Sequence, residues 1–162
     1  MSTRRHVAVI VILFLCMDFT DQQSQALEAL FQKNGVVLAY LFGSRASGRS
    51  RATSDADIAV RFGSDIESDE YDNLIIRLST ELPAILKCTD VDIVNLVTAN
   101  NPVLKHNIVF TGQPIYSADA TMKTETELAI VREYEDTKYL RRVQFEYLKQ
   151  HLADGTFGAV AG

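Results

Sequence analysis

Asp55 and Asp57 stand two residues apart at the head of Asp55-Ala56-Asp57-Ile58-Ala59-Val60-Arg61-Phe62, whose apolar content predicts a strand over 55–62. In a strand, side chains two apart project from one face, with Cα atoms roughly 6.5–7 Å apart, so both carboxylates aim at one point. A bare pair of this kind repels and holds one proton tightly unless a cation sits between them. Oxygen donors suit a hard divalent ion, Mg²⁺ above all where phosphates complete its shell. Two such ions about 3.5–4 Å apart can clamp the attacking and leaving oxygens of a displacement at phosphorus.

The residues just upstream have matching chemistry. Gly43-Ser44 follows an apolar run directly; glycine lets backbone approach a phosphate, and serine adds a hydroxyl donor. Arg45, Arg49 and Arg51 make the loop from Gly43 to Ser54 anion-seeking. A third carboxylate is expected from a neighbouring strand, in Asp90-Val91-Asp92-Ile93-Val94. Asp90 competes for the role, but alternation favours Asp92, which leaves Val91, Ile93 and Leu96 for packing. A carboxylate isolated among apolar residues is costly and calls for a cation or strong hydrogen bonds.

Each feature has a plainer reading. Most D-x-D pairs lie on solvated faces, and loop arginines more often solubilise than bind. His106 reads as a surface or partner-facing residue. Tyr134, Tyr139 and Tyr147, at near-helical spacing, read as packing residues, and Cys88 as a bystander. What lifts the aspartates above the plain reading is agreement between the Gly43-Ser44 spacing, the strand context and Asp92.

The elements that must position these residues follow from periodicity. Thr20-Asp21-Gln22-Gln23 fits a capping box, Ala26, Leu27, Leu30 and Phe31 recur at helical spacing, and Asn34-Gly35 ends the helix. Val36 to Phe42 reads as a strand buried on both faces. A helix is expected over 68–86, with Tyr71, Leu74, Ile75, Leu78, Leu82 and Ile85 on its apolar face and Pro83 kinking it or splitting off its last turn. Val91 to Val97 is a third strand. A short helix follows Pro102 and ends near Gly112, and Pro114 to Tyr116 is a small edge strand. One long polar helix is expected from Thr124 to about Leu152, packing through Leu128, Val131, Tyr134, Leu140, Val143 and Tyr147. The result is a single α/β domain over 18–155 with a C-terminal helix laid against it, and a frayed tail over 156–162.

A net charge of −5 repels a phosphate backbone, so direct nucleic-acid binding is not expected. Cys16 and Cys88 give no disulfide framework, and His6, His106 and His151 have no zinc-site spacing. A cytoplasmic setting without membrane attachment is the expectation. Residues 1–17 stand apart: Arg4-Arg5-His6 precede the apolar run Val7 to Met17, which has the outline of a signal peptide without a small-x-small cleavage site. At eleven residues the run is below the ~20 of a membrane span. It is a signal or anchor, an added buried element, or upstream sequence before a true start at Met17.

Gly43-Ser44, ten intervening residues and Asp55-x-Asp57 together resemble the G-S-x10-D-x-D signature of the DNA polymerase β nucleotidyltransferase superfamily. The likeness extends through Val91-Asp92-Ile93-Val94-Asn95-Leu96 and Asn101-Pro102-Val103-Leu104 to Gly112-Gln113-Pro114-Ile115-Tyr116. That order is similar to the minimal nucleotidyltransferases (MNT), usually encoded beside a HEPN-domain partner. Arg132-Glu133-Tyr134-Glu135-Asp136 and the helix after it also resemble that group, so coverage runs over about 18–155.

The resemblance implies a small nucleotidyltransferase fold, with a mixed β-sheet carrying the acidic triad, flanked by helices. Gly43 and Ser44 would hold the triphosphate, with Arg45 a further phosphate contact. Asp55 and Asp57 would bridge two Mg²⁺ ions, and Asp92 would complete the metal site and help take the acceptor's proton. It also implies ATP as substrate and a HEPN toxin as partner, AMP passing to a tyrosine hydroxyl of that ribonuclease to silence it. Transfer of AMP to a small hydroxyl compound such as an aminoglycoside is a second reading. Neutralising a toxin by binding alone, without catalysis, is a third.

Overall fold

Thr20 begins the first helix by a reciprocal cap: its hydroxyl accepts from the Gln23 N–H at 3.3 Å, while the Gln23 side chain accepts from the Thr20 N–H at 3.1 Å. Such a cap contributes about 1 kcal/mol. This computed structural model describes residues 19–43 and 55–153. Ser44, Arg45, Arg49 and Arg51, the amino-terminal segment 1–17 and the tail 156–162 lie outside the described residues.

Helix α1 spans Asp21–Lys33 and closes at Asn34, with Gly35 at φ +66° turning the chain into strand β1, Val36–Phe42. Strand β2 is Ala56–Phe62. A single 3-10 turn, Ser68–Glu70, leads into α2, Tyr71–Leu86. Strand β3 is Val91–Asn95, α3 is Pro102–Thr111 and β4 is Gln113–Ser117. Helices α4, Ala120–Asp136, and α5, Lys138–Ala153, complete the described chain. No helix among the described residues is long and apolar enough to cross a membrane.

The four strands form one mixed sheet in the order β3-β2-β1-β4. β1 is antiparallel to both β2 and β4, whereas β2 and β3 run parallel. Helices α1 and α2 cover one face, where Leu27, Leu30, Phe31, Leu78 and Leu82 pack on Ile58 and Val60. On the other face Ile108 of α3 and Ile130 of α4 pack on Leu38, Tyr40 and Ala59. β1 is therefore apolar on both sides, as its unbroken run requires. Each such side chain, fully buried, contributes about 1.5–3 kcal/mol.

Four expectations are corrected. The strand begins at Ala56, so Asp55 precedes it. Residues 68–70 form a 3-10 turn rather than the first turn of an α-helix. Pro83 does not split the last turn from α2, which runs on to Leu86 and stops at Lys87 in the left-handed region, φ 54°. The missing N–H falls one turn from the helix end, where only one internal bond is lost.

The long C-terminal helix is two helices, broken at Thr137. The Thr137 hydroxyl donates to the carbonyl oxygens of Glu133 and Tyr134 at 3.0 and 3.1 Å, so the side chain competes for backbone acceptors. Arg141 donates to the Tyr134 carbonyl and to the Thr137 hydroxyl, fixing the joint. Because of the break, Leu140, Val143 and Tyr147 do not pack as expected: α5 contains no buried residue, and Leu128 on α4 is also exposed.

Candidate active site

Asp57 is the second residue of β2 and lies opposite Asp92, the second residue of β3, in parallel register. Adjacent strands are about 4.8 Å apart, so the two carboxylates are neighbours across the ladder. Alternation places Asp57 on the face of Ala59, and Asp92 on the face of Val94, the side covered by α3 and α4. Asp57 is half-buried and Asp92 exposed, so the pair opens to solvent at the edge of the core.

Asp55 precedes the strand and is exposed, yet its charge is felt. Burial, then the charge of Asp92, then that of Asp55, raise the pKa of Asp57 above the usual carboxylate value. The like charges expected from the sequence do act on one another. Among the described residues, however, no three His, Cys, Asp or Glu side chains are gathered as a set that could hold a metal ion. The donor chemistry still fits a hard cation: three carboxylates, one of which resists ionising beside the others.

Gly43 closes the site from the β1 side. Its φ is +73°, and a Cβ built there would collide with the Asp57 carboxylate. The sequence marks Gly43 for phosphate approach; the structure adds a second constraint, the space Asp57 occupies. Phe42, paired with Asp57 across β1–β2, holds the strand end on the second core. Ser44 and Arg45 lie outside the described residues.

Polar groups farther along the same face serve packing. Tyr40, 1% exposed, donates to Glu127 at 2.6 Å, and Arg61 donates to Thr126. Lys105, 6% exposed, pairs with Glu133. The Arg61–Thr126 and Lys105–Glu133 pairs, with Leu96 and Ile130, line a cavity of about 240 Å³. It sits at the far end of β2 from the aspartates: Arg61 is four residues, about 13 Å, beyond Asp57. Nothing in the sequence marks these pairs, because each joins residues from separate elements.

His106 is half-buried. It stacks on Phe110 with ring centroids 4.3 Å apart and on Tyr134 at 3.9 Å. The Cys88 thiol donates to the Asp90 carbonyl at 3.4 Å, and the Asp90 carboxylate caps the Val91 N–H at 2.8 Å. Asp90 is thus used in the turn entering β3, which leaves Asp92 as the acidic partner of Asp57.

A mixed sheet with helices on both faces and a glycine-closed acidic pair at one strand end is the architecture of a nucleotidyltransferase. The family model for polymerase β nucleotidyltransferases matches residues 25–121, more than half of the chain and all of its described acidic site. The chain belongs to that family and is a nucleotidyltransferase.

Among solved structures, the chain is similar to a toxin–antitoxin crystallised with AMP-PNP, at TM-score 0.64 and 23% identity, over 80% of this chain and 99% of that one. It is also similar to a tri-AMPylated Shewanella oneidensis HEPN toxin in complex with its MNT antitoxin, at TM-score 0.60 and 22% identity, over 79% and 97%. The MntA–HepT toxin–antitoxin gives TM-score 0.59 and 21% identity, over 80% and 99%. At these identities the likeness is one of fold. No curated protein matches the chain significantly.

Proposed function

We propose that this chain transfers AMP from ATP to a tyrosine hydroxyl of a helical HEPN-type partner and so acts as the antitoxin of a toxin–antitoxin pair. The observation that carries the reading is the Asp57–Asp92 register, with Asp55 adjacent and Gly43 closing the site. Fold neighbours that are toxin–antitoxin complexes, one with an AMPylated HEPN toxin, support the choice of partner.

Asp55, Asp57 and Asp92 would hold Mg²⁺, which supplies charge to neutralise the phosphates and the displaced oxygen. Gly43, whose missing side chain makes room for the Asp57 carboxylate, would let its backbone approach the triphosphate, with Ser44 and Arg45 as further contacts. The tyrosine oxygen attacks the α-phosphorus, the bond from that phosphorus to the bridging oxygen breaks, and pyrophosphate leaves. Asp92, the more exposed of the strand pair, accepts the phenolic proton. A phenol, with a pKa near 10, gives up that proton more readily than an alcohol.

The test mixes the chain with a HEPN-type helical protein, ATP and Mg²⁺, and measures the partner's intact mass. AMP-sized increments that vanish with Asp57→Asn, or with the acceptor Tyr→Phe, are the expected result. An unmodified partner whose toxicity is still suppressed by the Asp57→Asn protein overturns the reading in favour of neutralisation by binding.

A further inference from the structure

Helix α5 carries its apolar residues on the outside. Phe145 and Leu152 are each 64% exposed, and Tyr139, Leu140, Val143, Tyr147 and Leu148 are exposed with them. At 100° per residue these fall on two stripes. Tyr139, Leu140, Val143 and Tyr147 form one; Phe145, Leu148 and Leu152 form the other, on the side of Arg141. One arc between them carries Lys138, Arg142, Glu146 and Lys149, and the other Gln144 and His151.

The helix is fixed to the body by stacked planar groups. Phe110 and His106 of α3, Tyr134 of α4 and Arg141 of α5 form one column, with the Arg141 guanidinium 3.7 Å from the centre of the Tyr134 ring. His106 and Arg141 each lie within 4 Å of that centre, so they must take opposite faces of the ring. The column ends in Phe110, 63% exposed, on the same helix as exposed Val103. The second stripe of α5 thus continues across Arg141 and Tyr134 onto α3.

Charge decides what this surface suits. Helix α5 carries Lys138, Arg141, Arg142 and Lys149 against Glu146 alone, a net +3, in a chain of net −5, so the rest of the chain carries −8. Resting on the AMP-transfer reading above, we propose that α5 and the stack joining it to α3 and α4 seat the acceptor protein, through a partner surface with an apolar centre and a carboxylate rim. A bilayer needs one apolar face and one polar face, whereas the apolar residues of α5 span most of its circumference. Leucine and valine stripes have no counterpart on a phosphate backbone. Two copies meeting α5 to α5 would oppose two helices of +3. The family match ends at residue 121, so α5 and the Tyr134 end of α4 lie outside the shared catalytic core, and only the α3 edge of the surface lies within it.

The experiment uses the full chain and the same HEPN-type helical protein, with Val143→Glu/Tyr147→Glu, Phe145→Glu/Leu148→Glu and Arg142→Glu/Lys149→Glu. All six residues are exposed, so circular dichroism and Mg-dependent ATP binding stay at wild-type values. Each pair is expected to weaken partner binding at least about tenfold by calorimetry and to raise KM for the partner, with kcat at saturation unchanged. Equal binding by wild type and all variants overturns the surface and leaves AMP transfer standing. A wild-type chain that neither binds nor modifies the partner fails the functional reading itself, and the docking proposal with it. Loss confined to self-association by light scattering, to anionic phosphatidylserine vesicles or to single-stranded RNA also overturns it, in favour of that occupant.

Discussion

Gly43, just past the end of β1, lies so close to Asp57 of β2 that a methyl group on Gly43 would collide with the Asp57 carboxylate. Gly43 also holds φ +73°, a conformation that costs an L-residue roughly 1–2 kcal/mol. Gly43→Ala is therefore expected to move Asp57 and lower nucleotidyl transfer by about a hundredfold, the scale of a 1 Å misplacement. Turnover with Mg²⁺ and ATP, beside a thermal melt, checks it; full activity in a protein of unchanged stability would sink the argument.

Asp57 sits among like charges, and its acid strength is reduced by burial, Asp92 and Asp55 in that order. Asp57→Asn should melt higher than wild type without metal while losing activity to the detection limit. Asp55→Asn should cost nearly as much alone as in the double variant, because both carboxylates serve one site. Independent, multiplicative losses in kcat/KM would count against a shared metal site.

Lys105 is buried against Glu133, which keeps partial access to water. Glu133→Gln strands the ammonium and is expected to cost about 1–3 kcal/mol, less than for a wholly buried pair because solvent reaches the partner. Lys105→Met, which removes the buried charge, should cost less than Glu133→Gln. Urea unfolding of both variants decides; the reverse order would show that the pair contributes through packing of the lysine stem.

Tyr40 titrates late for a stated reason: burial first, then its hydrogen bond to Glu127 and the charge of Glu127, all raise its pKa. Burial also raises Tyr116. A raised folded pKa means a stabilising contribution that is complete below about pH 10, the value in an unfolded chain, and is lost as pH climbs towards the folded value. Tyr40, buried and bonded to Glu127, should ionise only as the fold opens. Absorbance at 295 nm against alkaline pH reads this directly. Tyr40→Phe should remove the late step of that residue and cost about 1 kcal/mol at neutral pH.

Much of this fold was legible because its signals are local. The cap of Thr20 on Gln23, the closure of α1 at Asn34-Gly35, the run Val36–Phe42 and the start of α3 at Pro102 each depend on residues within a few positions. Pro83 leaves α2 in one piece and Thr137 ends α4, for opposite reasons. Proline is a strong breaker in general, but near a helix end it removes little; threonine is a weak one, but at Thr137 its hydroxyl takes two backbone acceptors. Neither outcome is visible without knowing where the helix ends.

What the sequence determined by itself was the chemistry: three aspartates and a glycine, at a spacing that can serve divalent metal and phosphate. Strand periodicity fixes which way side chains point, and the agreement of the Asp pair with Gly43-Ser44 and Asp92 is what sets it apart from a solvated D-x-D. Only the tertiary structure decided that Asp57 pairs with Asp92, because strand order and register are settled by both faces of the sheet burying their apolar side chains together. It decided too that Asp90 caps a turn and that His106 lies in a stack. It also left the apolar residues of α5 outside the core. Periodicity can say that such residues share a face, but only the packed molecule says whether that face is already covered.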